Sequence, residues 1–226
     1  MPRRSLLPLL AALCLGALSA PAAPIRVACV GDSITAGYGL KDPAQEAWPA
    51  VLGRLLGPEY EVRNFGVSAT TLLRHGNYPY WDRPAFAEAG AFAPEIVIIK
   101  LGTNDTKPAN WDSHRGEFAA DAAALVAHFA GLPSKPAVWI CLPAPIFPNK
   151  YTIDEANANE VRAILRTVAA AHQVPVINPV LALAGHPEDF PDGVHPNAAG
   201  AAVLAQVVAD ALLAAPAAAA AAGGGR

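Results

Sequence analysis

"VACVGDSITAGYG", Val27 to Gly39, is the stretch on which the fold reading turns. An apolar run stops abruptly at Gly31-Asp32-Ser33 and gives way to a loop of small residues. That pattern fits a buried strand whose tip feeds directly into a turn. Two readings of Ser33 fit these residues. Either the strand tip presents its hydroxyl for chemistry, or Ser33 merely caps a helix in a tight turn. The stretch alone does not separate them, so the flanking chain must.

Outward from it, Arg26–Val30, Glu61–Phe65, Glu95–Leu101, Ala137–Leu142 and Val174–Asn178 read as short buried strands. The third, "EIVIIKL", is β-branched and almost continuous, as expected of a strand covered on both faces. Between them lie helical patterns. Gln45–Leu56 places Trp48, Val51, Leu52, Leu55 and Leu56 on one side. Residues 116–132 repeat Phe118, Leu125 and Phe129, and residues 154–173 carry Val161, Ile164, Leu165 and Val168 on one face behind an acidic start. A last helix follows Asn197, a plausible cap after Pro196. Strands alternating with helices imply right-handed crossovers and a parallel sheet between helical layers. The expectation is one three-layer α/β domain spanning about residues 25–214.

Composition narrows the rest. The chain has 226 residues, enough for one well-buried domain and cramped for two. A net charge of −3, with no basic run beyond the first residues, argues against a nucleic-acid partner. Alanine inflates the apolar fraction, and past the N-terminus no apolar stretch reaches the ~20 residues that span a bilayer. Residues 1–22 have Arg3 and Arg4, an apolar run and a small-residue exit, the layout of a secretory signal peptide, with an uncleaved anchor as the alternative. Cys14 follows Leu13 rather than a small residue, which argues against lipidation. The expected location is therefore secreted or periplasmic, and the expected state a monomer. The mature chain keeps only Cys29 and Cys141, which excludes a disulfide-stapled scaffold. Residues 215–226, rich in alanine and glycine, read as a disordered tail.

In a parallel sheet the site lies at the carboxyl ends of the strands. The loops there read "GDSITAG", "GVSATT", "GTNDTKP" and "PAPIFPNKY", with "PDGVHPNAAG" before the last helix. Acyl transfer needs a hydroxyl, a neutral imidazole to take its proton, and a carboxylate to hold the imidazole's tautomer. It also needs donors aimed at the developing oxyanion. Ser33, His195 and Asp192 meet the first requirement. The backbone N–H groups of Ser33 and Gly66 and the side chain of Asn104 meet the second, Gly66 lacking a Cβ that would block the substrate oxygen.

Four blocks, "GDSITAG", "NFGVSATT", "LGTND" and "DGVHP", occur in order between Gly31 and Pro196 and resemble those of the SGNH (GDSL-type) hydrolase family. The resemblance implies a flavodoxin-like five-stranded sheet of order 2-1-3-4-5. It also implies Ser33 as nucleophile, Gly66 and Asn104 as oxyanion donors with Ser33, and Asp192 with His195 completing a triad. Two departures stand out. Ile34 replaces the leucine of the first block, and Ala69 stands where many members have glycine, which bears on the geometry of that loop.

The implied activity is a secreted serine esterase removing short acyl groups, acetyl foremost, from carbohydrate through an acyl-enzyme, with neither metal nor organic cofactor. A periplasmic thioesterase or lysophospholipase shares the same blocks. A non-catalytic carbohydrate-binding module, or a phosphate binder using the first loop as an anion site, is the reading from another class. Tyr78, Tyr80, Trp81 and Trp111 are candidates to stack on substrate, or else simply to cover the sheet edge. His75, His114, His128, His172 and His186 share no metal-ligand spacing, and His128 and His172 suit helix C-termini. Asp32 and Asp105 read as loop anchors bonded to backbone N–H groups. The implied strand order sets one strand between Cys29 and Cys141, too far apart for a disulfide, so both are expected to be free.

Overall fold

The computed structural model describes residues 23–215, so the signal peptide expected at residues 1–22 and all but the first residue of the tail expected at residues 215–226 lie outside the described residues. The first strand, β1 (Ile25–Gly31), alternates its side chains between two cores. Ala28 and Val30 face one of them, and Val27 and Cys29 the other. After it come α1 (Ser33–Ala36), α2 (Pro43–Glu46), α3 (Trp48–Leu56), β2 (Tyr60–Gly66), α4 (Pro84–Ala91) and β3 (Ile96–Lys100). The second half adds α5 (Pro108–His114), α6 (Phe118–Ala130), β4 (Ala137–Cys141), α7 (Glu155–His172), β5 (Val176–Ile177), α8 (Val180–Leu183) and α9 (Ala198–Ala214).

The strands form one parallel sheet of order β2-β1-β3-β4-β5. On one face, α3, α8 and α9 bring Trp48, Leu52, Leu183 and Leu204 against Val27, Cys29, Ile98 and Cys141. On the other, α4, α6 and α7 bring Ala89, Phe118, Leu125 and Leu165 against Ala28, Val30, Val97 and Ile99. Full burial of a leucine or phenylalanine side chain is worth about 1.5–3 kcal/mol, so each layer is held by several such contributions. Asn197 caps α9 as expected, its side chain accepting the N–H of Gly200, and Asp154 does the same for Asn157 at the start of α7. Among the described residues no helix is long and apolar enough to cross a membrane.

Three local expectations differ. The helix read over Gln45–Leu56 is broken at Ala47, which is extended at φ −61° and ψ 144°. In an unbroken helix Pro49 would offer no N–H to Gln45 O and would press its ring against that carbonyl, so the helix restarts with the proline in its first turn. The fifth strand shrinks to two residues, because it lies at the edge and is flanked by Pro175 and Pro179. Helices α4 and α5 were not expected; each begins on a proline, which suits a first turn that has no use for that N–H. Cys29 and Cys141 are free and buried with β3 between their strands. Burial pushes both thiols up, Cys141 to about 12.

Register positions the site. Gly31 pairs with Gly66 on one side and Lys100 on the other, so the loops leaving β1, β2 and β3 emerge side by side.

Candidate active site

Ser33 is the first residue of α1, directly after the strand tip. Asp32 caps that helix, with its carboxylate accepting the N–H of Ile34 at 3.0 Å. The helix is only four residues long and is closed by Gly37 at φ 85°. Of the two readings of the first stretch, the capping role thus falls to Asp32, which leaves the Ser33 hydroxyl free. It lies 2.8 Å from His195 Nε2. His195 Nδ1 lies 2.7 Å from Asp192 Oδ2, and a carboxylate there selects the tautomer with its proton on Nδ1. Asp192 Oδ1 accepts the backbone N–H groups of His195 at 2.8 Å and Val194 at 3.0 Å. Partial burial pushes the Asp192 carboxyl up, but those N–H groups and the imidazole outweigh it and hold the carboxyl below its usual range. Ser33 and His195 are both nearly buried, so the pair works with little competing water.

Asn104 sits in a 3₁₀ turn just beyond β3 and is itself buried. Its Nδ2 donates to Thr70 O at 3.1 Å, which ties it to the loop after β2 and leaves its second amide hydrogen over. Asn110 Nδ2 donates to Asn104 O at 2.9 Å and fixes the turn from behind. Asp105, the next residue, is fully buried and accepts Leu73 N–H at 2.7 Å and Leu72 N–H at 3.0 Å, the loop-anchoring role expected of it.

Gly66 is placed differently from expectation. Its N–H already donates to Asn64 Oδ1 at 2.8 Å, while Asn64 Nδ2 donates to Thr35 O at 2.7 Å. A Cβ on Gly66 would come within 2.3 Å of Ala36 N, so the glycine admits the backbone of α1, not a substrate oxygen. Three residues on, Ala69 takes a left-handed φ of 69°, the conformation a glycine would adopt most easily. Its N–H takes no hydrogen bond among the described residues, and the neighbouring Thr70 carbonyl is the one bonded to Asn104.

The aromatic candidates also sort differently. Tyr80 and Trp111 are core residues, with the Tyr80 hydroxyl donating to Phe65 O at 2.8 Å and the Trp111 indole N–H to Glu160 Oε2 at 3.2 Å. Trp81 donates its indole N–H to Leu72 O, and the Arg74 guanidinium covers its ring at 3.9 Å. Only Tyr78 stays exposed, beneath Arg83. The rings that meet the imidazole are Tyr38 and Tyr151, with centroids 4.5 Å and 5.4 Å from that of His195. Both lay on strand-tip loops, Tyr38 inside the first quoted stretch. A strand-tip aromatic was thus the available signal.

The remaining histidines are mostly as expected. His128 and His172 occupy the last turns of their helices, His128 stacked on Phe86 at 4.4 Å. His75 and His114, which share no spacing in sequence, are nevertheless brought together on Glu117. Their Nδ1 atoms lie 2.7 Å and 3.2 Å from its carboxylate, and all three ligand-type atoms fall within 4.8 Å of one another. Hydrogen bonds from His75 and then His114 hold the Glu117 carboxyl below its ordinary range. This partly exposed cluster pins the loop after β2 to the turn following α5.

A hydroxyl, imidazole and carboxylate in line at the carboxyl edge of a doubly wound sheet define a class, the acyl-transfer sites built on a serine nucleophile. Within that class, the chain belongs to the GDSL-like Lipase/Acylhydrolase family, which it matches over residues 29–203. It is 37% identical over 207 residues to an acetylxylan esterase of Xylanibacter ruminicola, a match covering 83% of this chain and 43% of that protein. The chain thus spans less than half the length of that curated relative. Among solved structures it is similar to an aryl esterase of M. smegmatis, at 23% identity and a TM-score of 0.66 over 84% of this chain and 98% of that one. A carbohydrate acetylesterase from Sinorhizobium meliloti gives 22% identity and a TM-score of 0.63 over 84% and 99%. These structural likenesses bear on the fold.

Proposed function

We propose that this chain hydrolyses short acyl esters of carbohydrates, acetyl foremost, through an acyl-enzyme on Ser33. The observation that carries the reading is the continuous hydrogen-bonded line from Ser33 Oγ through His195 to Asp192, at 2.8 Å and 2.7 Å. Ser33 Oγ attacks the ester carbonyl while its proton passes to His195 Nε2, giving a tetrahedral oxyanion. Collapse breaks the carbon–oxygen bond to the alcohol, and the imidazolium returns the proton to that leaving oxygen. Water then attacks the acyl-enzyme, giving its proton to His195, which hands it to Ser33 Oγ as the carboxylic acid leaves. Asp192 keeps the imidazole oriented and stabilises its charged form throughout.

Three donors are assigned to the oxyanion: the Ser33 N–H, the free hydrogen of the Asn104 amide and the Ala69 N–H. The last replaces Gly66 because the Gly66 N–H is bound to Asn64, whereas the Ala69 N–H donates to no partner among the described residues and adjoins the Thr70–Asn104 contact. The carbohydrate assignment draws support from the acetylxylan esterase relative. The leader-like residues 1–22 support an exported enzyme.

The test is acetate release from acetylated xylooligosaccharides, run beside p-nitrophenyl esters of graded chain length. The expected result is turnover that falls steeply beyond the shortest acyl groups and vanishes in Ser33→Ala. Preference for long-chain or thioester substrates would overturn the substrate assignment, and full activity of Ser33→Ala the mechanism.

A further inference from the structure

The loop after β4 is built around the turn that carries Asp192 and His195. Phe147 N–H donates to Gly193 O at 2.8 Å. Gly193 has φ 81°, and a Cβ on it would meet Pro148 O at 2.3 Å, so loop and turn close on one another. Further along, Asn149 knots the loop. Its Oδ1 accepts Tyr151 N–H at 2.9 Å and its Nδ2 donates to Ile153 O at 2.9 Å. Thr152 completes the bend in the left-handed region at φ 58°. What this construction delivers is Tyr151. Its hydroxyl donates to Asp192 Oδ2 at 3.1 Å, and its ring meets the His195 imidazole edge-on at 87°. Tyr38 packs on that imidazole as well, tilted at 49°.

We propose that Tyr151 is a positioning residue for ester hydrolysis, holding the imidazole in the plane from which Nε2 reaches Ser33 and sharing the Asp192 carboxylate with it. The inference rests on the reading that Ser33, His195 and Asp192 carry the reaction. Asp192 Oδ2 serves two donors, the imidazole Nδ1–H and the phenol, so neither has the whole of its negative charge. Removing the phenol hydroxyl concentrates that charge on the imidazole, which then holds a proton more firmly and is a base over a narrower pH range. The hydroxyl remains a donor at every working pH, because local desolvation, the adjacent Tyr38 hydroxyl and the Asp192 carboxylate push the Tyr151 phenol up to about 12. The groups facing the imidazole are Ser33 and Tyr38 from the loop after β1, Asp192 from its own turn, and Tyr151 from the loop after β4. Lys150 adds one cation 5.5 Å from the Tyr151 ring. Replacing Tyr151 by Phe leaves the ring and every charged group in place.

The experiment measures kcat and KM against pH for p-nitrophenyl acetate, with thermal midpoints to confirm folding. In Tyr151→Phe the acid limb of kcat/KM should move up by roughly 0.3–1 pH unit, with kcat on the plateau within about threefold of wild type. The low-field Nδ1–H proton resonance of His195 should shift with it. Tyr151→Leu, which removes ring and hydroxyl, should lower plateau kcat about tenfold or more at nearly unchanged KM. An unmoved acid limb and resonance in Tyr151→Phe would overturn the proposal, as would a Tyr151→Leu defect confined to KM. Full turnover by Ser33→Ala would instead remove the reading beneath it, so the two failures are distinguishable.

Discussion

Asp105 and Asp192 both stand in turns beyond the carboxyl ends of the strands, and each carboxylate accepts two backbone N–H groups. Their electrostatics are opposite. Asp105 is fully buried, and burial, outweighing the Leu73 and Leu72 N–H groups, pushes its carboxyl up to about 7. Asp192 is only partly buried and also accepts the His195 imidazole and the Tyr151 hydroxyl, and its carboxyl is held low. Two backbone donors thus yield a structural pin in one place, where they come from the loop after β2, and a charged partner for an imidazole in the other, where they come from the carboxylate's own turn. Burial and the extra donors set the two carboxyls apart, not the number of backbone N–H groups.

The sharpest way to break the comparison is to neutralise each in turn. Asp192→Asn should lower kcat on the order of 10⁴-fold with the fold intact, because the amide no longer selects the right tautomer. Ser33→Ala and His195→Ala should do at least as much, read by single-turnover acetate release. Asn104→Ala should cost about 10²–10³-fold in kcat as one oxyanion donor is lost, while an unchanged kcat would make Asn104 structural. Asp105→Asn belongs to the other side. It leaves one of the Leu72 and Leu73 N–H groups facing an amide donor, so stability should fall by about 1–3 kcal/mol in urea titration while activity per folded molecule survives.

The remaining effects are read against pH. Between about pH 4 and 7 the folded chain keeps the Asp105 proton that an unfolded aspartate, with pKa near 3.9, has already released. The folded state then binds more protons, so this group makes stability fall as pH rises through that window. Asp105→Asn should flatten the slope. Asp192, with its folded pKa depressed, contributes stability that is present above about pH 3.9 and lost as pH falls further. Denaturation midpoints from pH 3 to 8 for both variants check the two signs.

The positions of the strands, the serine at the first strand tip and the Asp192–His195 spacing were all legible in the sequence, because each depends on neighbours within a few residues. Hydrophobic period sets strand or helix, and an aspartate three residues before a histidine can reach its ring within one turn. The strand order came from resemblance and agrees with the sheet. The shortened fifth strand and the broken second helix were missed although the prolines responsible were in view, since their effect depends on edge position and on where a helix restarts.

What no local pattern held was the choice among similar residues. Glycine at 66 looked like the open donor, but α1 lies where its Cβ would be, and Asn64, turned by its bond to Thr35 O, already holds its N–H. Tyr80 and Trp111 were indistinguishable in sequence from Tyr38 and Tyr151, yet packing buries the first pair in the core and sets the second against the imidazole. Likewise His75, His114 and Glu117 meet only because the loop after β2 folds back onto the turn after α5. Burial and long-range hydrogen bonds depend on chain segments tens of residues apart. They decide which donor is free and which carboxylate stays charged, and those two choices separate the parts of this rim that hold the fold from the parts that gather around Ser33 and His195.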